Sequence, residues 1–595
     1  MRHIFTIFLC LLVSGIVSAK TVPSADGIQW RDWSDEAFAE AKRDGKFIIL
    51  DLEAVWCHWC HVMEEKTYSD PAVINLIRKH YVALKVDQDN RPDLSRRYQD
   101  WGWPATIFFN GDGVELVKRA GYIPPDGMAR LLQAIVDDPT PEQDAPIRAH
   151  KEFAASALLG DELRKTLQQR HLDSYDPEYG SLKINQKFID RDTVEYALRQ
   201  ARNGDTENER IARHTLDEAI ALIDPVWGGV YQYSTGGKWD YPHFEKIMQS
   251  QAGYMRIYAL AYRQFGDERY LKAAEDIARY LQDFLTAPNG ALYTSQDADL
   301  VQGVHSREFF ELNDAARRSR GIPRIDTHQY ARENGWAARA LSVLYQVSGN
   351  KGYLERAERA VAWVEKNRKL KGGGYRHDEL DKGGPFLGDS LAVAEAYVSL
   401  YQSTGRRDYL QRARYTLAFI YAIFRFGGEK GAGYAVAYAP ASAVIKPLPQ
   451  IDENIAFTRL AIRVHHLTGD ESFRDMAERA MRYLATPVIA TERLTEAGIL
   501  LAEHELANDP VHMTIVGHKD DIQARTLYEA ALRYPGSYRR IEWWDKREGA
   551  MPNPDVQYPS LPRAAAFACS NQRCSLPVFS VTDIHPMVDA LNGRL

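Results

Sequence analysis

The residues best placed to do chemistry in this chain are two cysteines separated by two residues, Cys57 and Cys60, in the run W-C-H-W-C-H. An apolar, β-branched run from Phe47 to Leu52 precedes them and indicates a buried strand. The residues from Met63 to Lys66 favour a helix. The pair therefore lies where a strand passes into a helix, whose free N–H groups and positive end stabilise a thiolate at Cys57. Cys60, one turn further on, can close a disulfide with it.

Three kinds of site fit this stretch: a thioredoxin-like redox pair, a c-type haem attachment site of the form C-x-x-C-H, and half of a zinc site with two Cys and one or two His. A thioredoxin-like fold needs a later strand opened by a proline, normally cis, that faces the cysteines. Pro104, before the apolar run Ala105 to Phe109, supplies it. A haem site gives no reason for that strand, and a closed zinc site lacks a second C-x-x-C nearby. We therefore predict a redox pair without cofactor or metal, with Cys57 as nucleophile and Cys60 as resolving thiol.

A family resemblance supports this interpretation. The runs W-C-H-W-C-H-V-M-E, K-V-D-Q-D-N-R-P-D and G-W-P-A-T-I-F resemble the spermatogenesis-associated thioredoxin-like proteins and their bacterial relatives. The resemblance covers most of the chain. It implies a thioredoxin-like domain coupled to a helical toroid similar to six-hairpin glycosidases and sugar epimerases.

The N-terminus predicts export. Arg2, an apolar run from Ile4 to Val17 and the small residues before Lys20 form a secretory signal with a cut after Ala19. We expect an exported, periplasmic protein with no membrane span after cleavage, because no later segment is long and apolar enough. The formal net charge of −7 gives no sign of a nucleic-acid partner.

The 595 residues are too many for one domain. We predict a signal peptide (1–19), an α/β thioredoxin-like domain (20–140), an all-α toroid of (α/α)6 type (148–507) and a small α/β C-terminal region (508–595). The toroid is predicted from a repeated motif of four positions, each four residues after the one before. The first position is aromatic or His, the second is Gly, the third is aromatic and the fourth is Ala, and each Gly is expected to end a helix. The four copies are Tyr262-Gly266-Tyr270-Ala274, Tyr345-Gly349-Tyr353-Ala357, Tyr401-Gly405-Tyr409-Ala413 and His465-Gly469-Phe473-Ala477.

The densest polar cluster of the toroid is Lys238 to Lys246, which resembles the family's P-H-F-E-K motif. His243 and Glu245 are candidates for a base and an acid acting on a bound sugar. Other polar residues are expected at the same end of the hairpins as candidate ligand contacts: Trp239, Asp297, Asp299, Asp326, Asn334, Asp452 and Asn454. The alternative is that these residues are helix caps and buried polar pairs that hold the hairpin ends together.

Two functions remain open at this point. The first is a thiol–disulfide oxidoreductase that acts on protein thiols or disulfides, with a toroid that binds a partner or a carbohydrate. The alternative is a carbohydrate-active toroid, epimerase- or hydrolase-like, with a regulatory or structural thioredoxin-like domain.

A second cysteine pair, Cys569 and Cys574, resembles the family's closing pair. Four intervening residues let the chain turn back and bring the sulfurs within bonding distance. The pair is either a stable disulfide that pins the tail, as expected in an exported protein, or a relay that exchanges with Cys57 and Cys60.

Overall fold

The computed structural model describes residues 27–591, apart from residues 145, 146, 148, 381, 382, 429, 430, 441, 442, 571 and 572. The predicted signal, residues 1–19, lies outside the described residues. The fold is a thioredoxin-like domain, a helical toroid and a small C-terminal α/β region. Within the described part, none of the helices has the length and apolar character needed to cross a membrane.

The thioredoxin-like domain is built on a four-stranded sheet whose central strand, Phe47–Glu53, is almost wholly buried. This strand pairs in parallel with Tyr81–Asp87 and antiparallel with Ala105–Phe109, which continues to the edge strand Glu115–Ala120. The helices of the domain are Asp35–Asp44, His58–Lys66, Pro71–His80, Pro92–Tyr98 and Pro125–Asp137. Because the central strand leads directly into the helix His58–Lys66, the sheet fixes the position of the cysteine pair.

The toroid consists of six helical hairpins. Its inner helices are Arg191–Arg202, Met248–Phe265, Ala331–Ser348, Leu387–Thr404, Ile451–Thr468 and Ala497–Ala507. Each packs on the next, and the last packs on the first, so the ring is closed. The outer helices are Thr206–Ala219, Glu268–Phe284, Lys351–Asn367, Arg407–Phe424, Glu471–Leu484 and Asp161–Asp173. The last inner helix takes the first outer helix of the chain as its partner. The predicted (α/α)6 toroid is confirmed.

The repeated glycines end four inner helices, as their spacing predicts. Gly266, Gly349, Gly405 and Gly469 have φ of 67°, 73°, 67° and 69°. Each donates its N–H to the carbonyl of the aromatic or His residue four positions earlier. Glycine has no Cβ to oppose this left-handed conformation, so it can stop each helix at the same height.

The two α/β parts lie at opposite ends of the inner helices. The thioredoxin-like domain reaches their N-terminal ends, where Arg96 lies 3.8 Å from Asp452. The C-terminal sheet (Arg539–Trp544, Val511–Val516, Ala565–Ser570 and Arg573–Cys574) and the helices Ile522–Leu532 and Ile584–Leu591 complete the chain. This region reaches the C-terminal ends of the inner helices, where Lys519 donates to the carbonyl of Gly405 at 2.7 Å. An inner helix of 18 residues is about 27 Å long, which separates the two regions.

Candidate functional site

The cysteine pair is buried at the start of its helix. Cys57 is the N-cap residue of His58–Lys66, and its Sγ accepts the N–H of Cys60 at 3.1 Å. The two sulfurs form a disulfide, and each residue is only 3% exposed. The Trp103–Pro104 peptide is cis, and Trp103 packs on the same apolar cluster as Trp56 and the two cysteines. These are the local features of a thioredoxin-like redox centre, with Cys57 nearest the free N–H groups of the helix.

Two histidines of the cysteine motif contact the toroid. His58 Nδ1 lies 2.8 and 2.9 Å from the two carboxylate oxygens of Asp299, and His61 Nδ1 lies 3.3 Å from one of them. His61 Nε2 is also 3.8 Å from Asp297. The N–H of Ala298 donates to the carbonyl of Trp56. We call His58, His61, Asp297 and Asp299 the interdomain clamp, because they join the cysteine helix to the toroid.

The clamp has the electrostatics of a buried ion pair. Burial opposes the charge of His61, but its hydrogen bond to Asp299 and the charges of Asp297 and Asp299 raise its pKa overall. Burial likewise opposes ionisation of Asp299, but hydrogen bonds from His58 and His61 lower its pKa. The pKa of Asp297 is raised to about 6, chiefly by burial. The clamp therefore carries a carboxylate at Asp299 that favours a protonated imidazole at His61.

The same residues form the one grouping with metal-ligand chemistry among the described part of the chain. His61, Asp297 and Asp299 place one ligand atom each within 4.8 Å of one another. The contacts of His61 and His58 with Asp299 already satisfy this carboxylate, so we assign the group to domain contact.

A cavity of about 290 Å³ lies between the cysteine pair and the N-terminal ends of the inner helices. The thioredoxin-like domain contributes Cys57 and Trp103 to its wall. The toroid contributes His243, Glu245, Arg332, Glu333 and Asp452. We call this cavity the chamber. It is bounded by both domains, so a molecule inside it meets Cys57 and the toroid together.

His243 and Glu245 are neighbouring titratable groups in the chamber wall. His243 lies on the short strand Pro242–His243, stacked on the ring of Tyr233 at 4.3 Å, and its Nδ1 is 3.9 Å from Glu245. Burial, together with the charges of His305 and His58, lowers the pKa of His243 to about 4. Burial raises the pKa of Glu245 to about 7. Near neutral pH, His243 is therefore uncharged, and Glu245 is present in both its protonated and its ionised form.

Two predicted ligand contacts of the toroid are instead structural. The side-chain amide of Asn334 bonds to both backbone groups of Leu292. That of Asn454 bonds in the same way to Tyr434. Both lie within the first turns of inner helices rather than before them. The expectation of ligand contact is corrected here, because these amides hold hairpin loops in place.

Trp239 and Asp326 also lie away from the chamber wall. The indole of Trp239 is buried and donates to the carbonyl of Tyr179 at 2.6 Å. Asp326 lies on the strand Ile325–Asp326 and bonds to His328 at 2.6 Å. Of the predicted toroid ligands, Asp452 lines the chamber, and it is 2.6 Å from Arg493.

Sequence reasoning missed the cationic and aromatic part of the chamber. Arg96 comes from the thioredoxin-like domain, and Arg332 and Trp336 come from one inner helix. No local pattern marks Arg96, which is drawn into the site only because the two domains dock. The sequence did contain a signal for Arg332, because this residue stands two positions before the candidate Asn334, in the first turn of the same inner helix.

The second cysteine pair lies in the C-terminal sheet. Cys569 and Cys574 face each other on adjacent antiparallel strands and form a disulfide. Because this sheet lies at the far end of the inner helices, the two disulfides are separated by about the length of an inner helix. That arrangement favours the structural alternative over the relay.

Comparisons with known proteins identify similar sequences and structures. The thioredoxin-like DsbH family model, described as a protein of unknown function (DUF255), matches residues 21–155. The chain is 29% identical to mouse spermatogenesis-associated protein 20 over 308 residues, 46% of this chain and 39% of the mouse protein. It is 21% identical to an uncharacterized Caenorhabditis elegans protein over 94% of both chains. A crystal structure of D-mannose isomerase aligns with 58% of this chain and 98% of that one, at a TM-score of 0.45 and 14% identity.

The match to the mouse protein covers less than half of its length, and the worm match extends over nearly the whole chain. The matched segment 21–155 contains the cysteine pair and the cis proline. Residues 21–155 thus match a DsbH-type thioredoxin-like domain, the chain is similar to spermatogenesis-associated protein 20, and its fold adds a six-hairpin helical toroid.

Proposed function

We propose that this protein is a thiol–disulfide oxidoreductase whose substrate is held in the chamber between the two domains. The observation that carries the proposal is that Cys57, the N-cap of its helix, lines the same cavity as His243 and Glu245 of the toroid. The toroid would then bind the substrate, and the thioredoxin-like domain would exchange electrons with it. The predicted signal at residues 1–19 supports export to an oxidising compartment, where such chemistry is common.

The reaction follows from the positions of the two sulfurs. In the reducing direction, the Cys57 thiolate attacks a substrate disulfide, forms a mixed disulfide and releases one substrate thiol. Cys60 then attacks Cys57, releases the second substrate thiol and closes the Cys57–Cys60 disulfide. Two electrons pass from the cysteine pair to the substrate, and the reverse sequence oxidises a substrate dithiol. In spite of burial, contact with Asp299 raises the pKa of His61, and a protonated imidazole there would favour the thiolate form of Cys57.

The chamber limits the kind of substrate. Both cysteines are nearly inaccessible from outside, and a cavity of about 290 Å³ cannot admit a folded domain. A small thiol compound or an extended protein segment fits this space.

Trapping tests the proposal directly. In a Cys60→Ser variant, the mixed disulfide at Cys57 cannot be resolved, so the substrate should remain attached and be identifiable by mass spectrometry. Cys57→Ser should trap nothing. A Cys569→Ser, Cys574→Ser double variant is the control and should keep full dithiol activity. If Cys60→Ser captures no thiol compound or protein in its native compartment, and the dithiol form reduces no disulfide, the proposal is wrong.

A second candidate function rests on His243 and Glu245. A neutral imidazole 3.9 Å from a carboxyl with a pKa of about 7 is suited to moving protons on a bound sugar, with the thioredoxin-like domain in a regulatory or structural role. A glycan-binding array and a sugar-epimerase screen with the wild type and Glu245→Gln test this candidate. A sugar whose binding or turnover is lost in Glu245→Gln would favour it.

A further inference from the structure

The axis of the toroid is crossed by a ring of charged side chains, one from each inner helix. We call this set the axial ring: Glu195, Arg256, Arg339, Glu395, Arg459 and Glu505. The last five each occupy the ninth position of their helix, and Glu195 occupies the fifth position of a helix of 12 residues. Three arginines face three glutamates, and the ring is connected by ion pairs such as Arg339–Glu395 at 2.6 Å and Arg256–Glu195 at 2.8 Å. The ring is therefore close to neutral.

Three further arginines lie beyond the ring, towards the C-terminal region. Arg263 and Arg463 are nearer the ends of their inner helices, and Arg539 begins a strand of the C-terminal sheet. Arg263 and Arg539 donate to the same amide oxygen, that of Gln346, at 3.3 and 3.0 Å. Arg463 is 3.0 Å from Glu505, which already pairs with Arg459 of the ring at 2.8 Å. Two cations thus converge on one neutral acceptor.

We call Arg263, Arg463 and Arg539 the lower cluster; among the described residues, Arg463 is the member of this cluster that has a carboxylate partner. Among the described residues, no carboxylate lies within 4.0 Å of Arg263 or Arg539, and the Nε of each donates to no acceptor. Both residues are more than nine-tenths buried. Burial and the neighbouring Arg256 lower the pKa of Arg263 to about 9, so it keeps its charge at pH 7. A buried group of like charges requires a counter-ion.

Space for that counter-ion is present. A cavity of about 50 Å³ is lined by Arg263, Arg463 and Arg539 together with members of the axial ring. A second cavity, of about 260 Å³, lies on the other side of the ring and shares Arg256, Arg339 and Arg459 with the first. It also shares Arg96, Gln249, Trp336 and Asp452 with the chamber. The chamber, the second cavity and the cavity at the lower cluster thus share lining residues in turn along the axis of the toroid.

We propose that Arg263, Arg463 and Arg539 form an anion site at the base of the toroid axis, which binds a small oxyanion group such as phosphate. Guanidinium groups recognise tetrahedral oxyanions through paired N–H donors, and the two unpartnered Nε groups supply such donors. The proposal does not depend on the redox function. The anion is either free or the charged end of a larger molecule that extends from the chamber.

Calorimetric titration of the full chain with inorganic phosphate, in buffer without chloride and at constant ionic strength, tests the site. We expect saturable binding of one phosphate. Arg463→Gln, which removes the least buried of the three arginines, should weaken it at least about tenfold, a loss typical of one charge-assisted contact. Arg414→Gln, an exposed arginine on an outer helix, is the matched control and should bind as the wild type does.

Two further measurements keep the proposal open to refutation if a variant folds poorly. Anomalous scattering from selenate, a phosphate analogue, should place the anion among the three arginines of the wild type. Tighter binding of glucose 6-phosphate than of phosphate would identify the anion as the end of a larger ligand, and equal or weaker binding would identify it as free. Absence of saturable phosphate binding, unchanged binding in Arg463→Gln, or selenate bound elsewhere would overturn the site.

Discussion

His58 on the cysteine helix and Asp299 on the toroid form a buried contact across the domain boundary, with Nδ1 at 2.8 and 2.9 Å from the two carboxylate oxygens. The imidazole belongs to the residue directly after Cys57. Any movement of the thioredoxin-like domain away from the toroid must therefore break a contact next to the disulfide. The pair makes access to Cys57 depend on domain docking.

The first prediction is that Asp299→Asn loosens the docking. Asp299 also pairs with His61, and removing one partner of a buried ion pair costs about 3–5 kcal/mol, because the other charge is left without compensation. We expect alkylation of reduced Cys57 by a bulky maleimide to accelerate at least about tenfold, which needs only about 1.4 kcal/mol. Asp276→Asn, on an outer helix, is the control and should change nothing. Equal alkylation rates in all three proteins would mean that the pair does not restrict access.

The second prediction is that docking weakens as the pH rises through neutrality. Contact with Asp299 and Asp297 raises the pKa of His61 above its ordinary value in spite of burial. A raised histidine pKa contributes stability that is fully present below about pH 6.5 and is lost as the pH passes the raised value. Hydrogen exchange of the backbone amides at residues 58–66 should be slower at pH 6 than at pH 8.5, after correction for intrinsic rates. This difference should disappear in Asp299→Asn.

Much of the fold could be predicted because its determinants are local. Gly266, Gly349, Gly405 and Gly469 each terminate a helix through their own backbone conformation, and Pro104 stands beside the strand that it opens. The site could be predicted only in part. His58 and Asp299 are 241 residues apart, and nothing near either residue specifies the other. Their contact forms because the two domains dock, and docking does not produce a repeating pattern of residues that could be recognised in the sequence.

The sequence also could not show which polar residues at the hairpin ends contact a ligand and which hold the structure together. Asp297, Asn334 and Asn454 stand in similar polar runs at similar hairpin ends. Asn334 and Asn454 bond to loop backbone, whereas Asp297 faces a histidine of another domain. The residue types are compatible with either role, and only the three-dimensional neighbours decide between them.

The third prediction concerns the stability cost of Glu245. Burial raises its pKa to about 7, so the folded protein binds a proton there more tightly than the unfolded chain does. Ionisation of Glu245 therefore lowers the free energy of unfolding. This loss is absent below about pH 4.5 and complete above about pH 7, where it amounts to at most about 3 kcal/mol. Glu245→Gln should therefore unfold at a higher temperature than the wild type at pH 8 and at a similar temperature at pH 4.5. Glu308→Gln, on an exposed position, should match the wild type at both pH values.

The fourth prediction separates the two cysteine pairs. Cys569 and Cys574 close a short loop between adjacent strands of the C-terminal sheet, and such a cross-link stabilises by about 2 kcal/mol through the unfolded chain. The Cys569→Ser, Cys574→Ser variant should lose about this amount, with faster hydrogen exchange in the strand Ala565–Ser570.

The redox properties of Cys57 and Cys60 should not change in that variant, because an inner helix of about 27 Å separates the two pairs and thiol exchange requires contact between sulfurs. The measurement is the reduction potential of the Cys57–Cys60 disulfide, by equilibration with glutathione and mass spectrometry. A shift in that potential, or a mixed disulfide between Cys57 and Cys574 in a Cys60→Ser, Cys569→Ser variant, would show that the tail folds over to the thioredoxin-like domain and acts as a relay. An unchanged potential and no such cross-link would leave the C-terminal disulfide with a structural role alone.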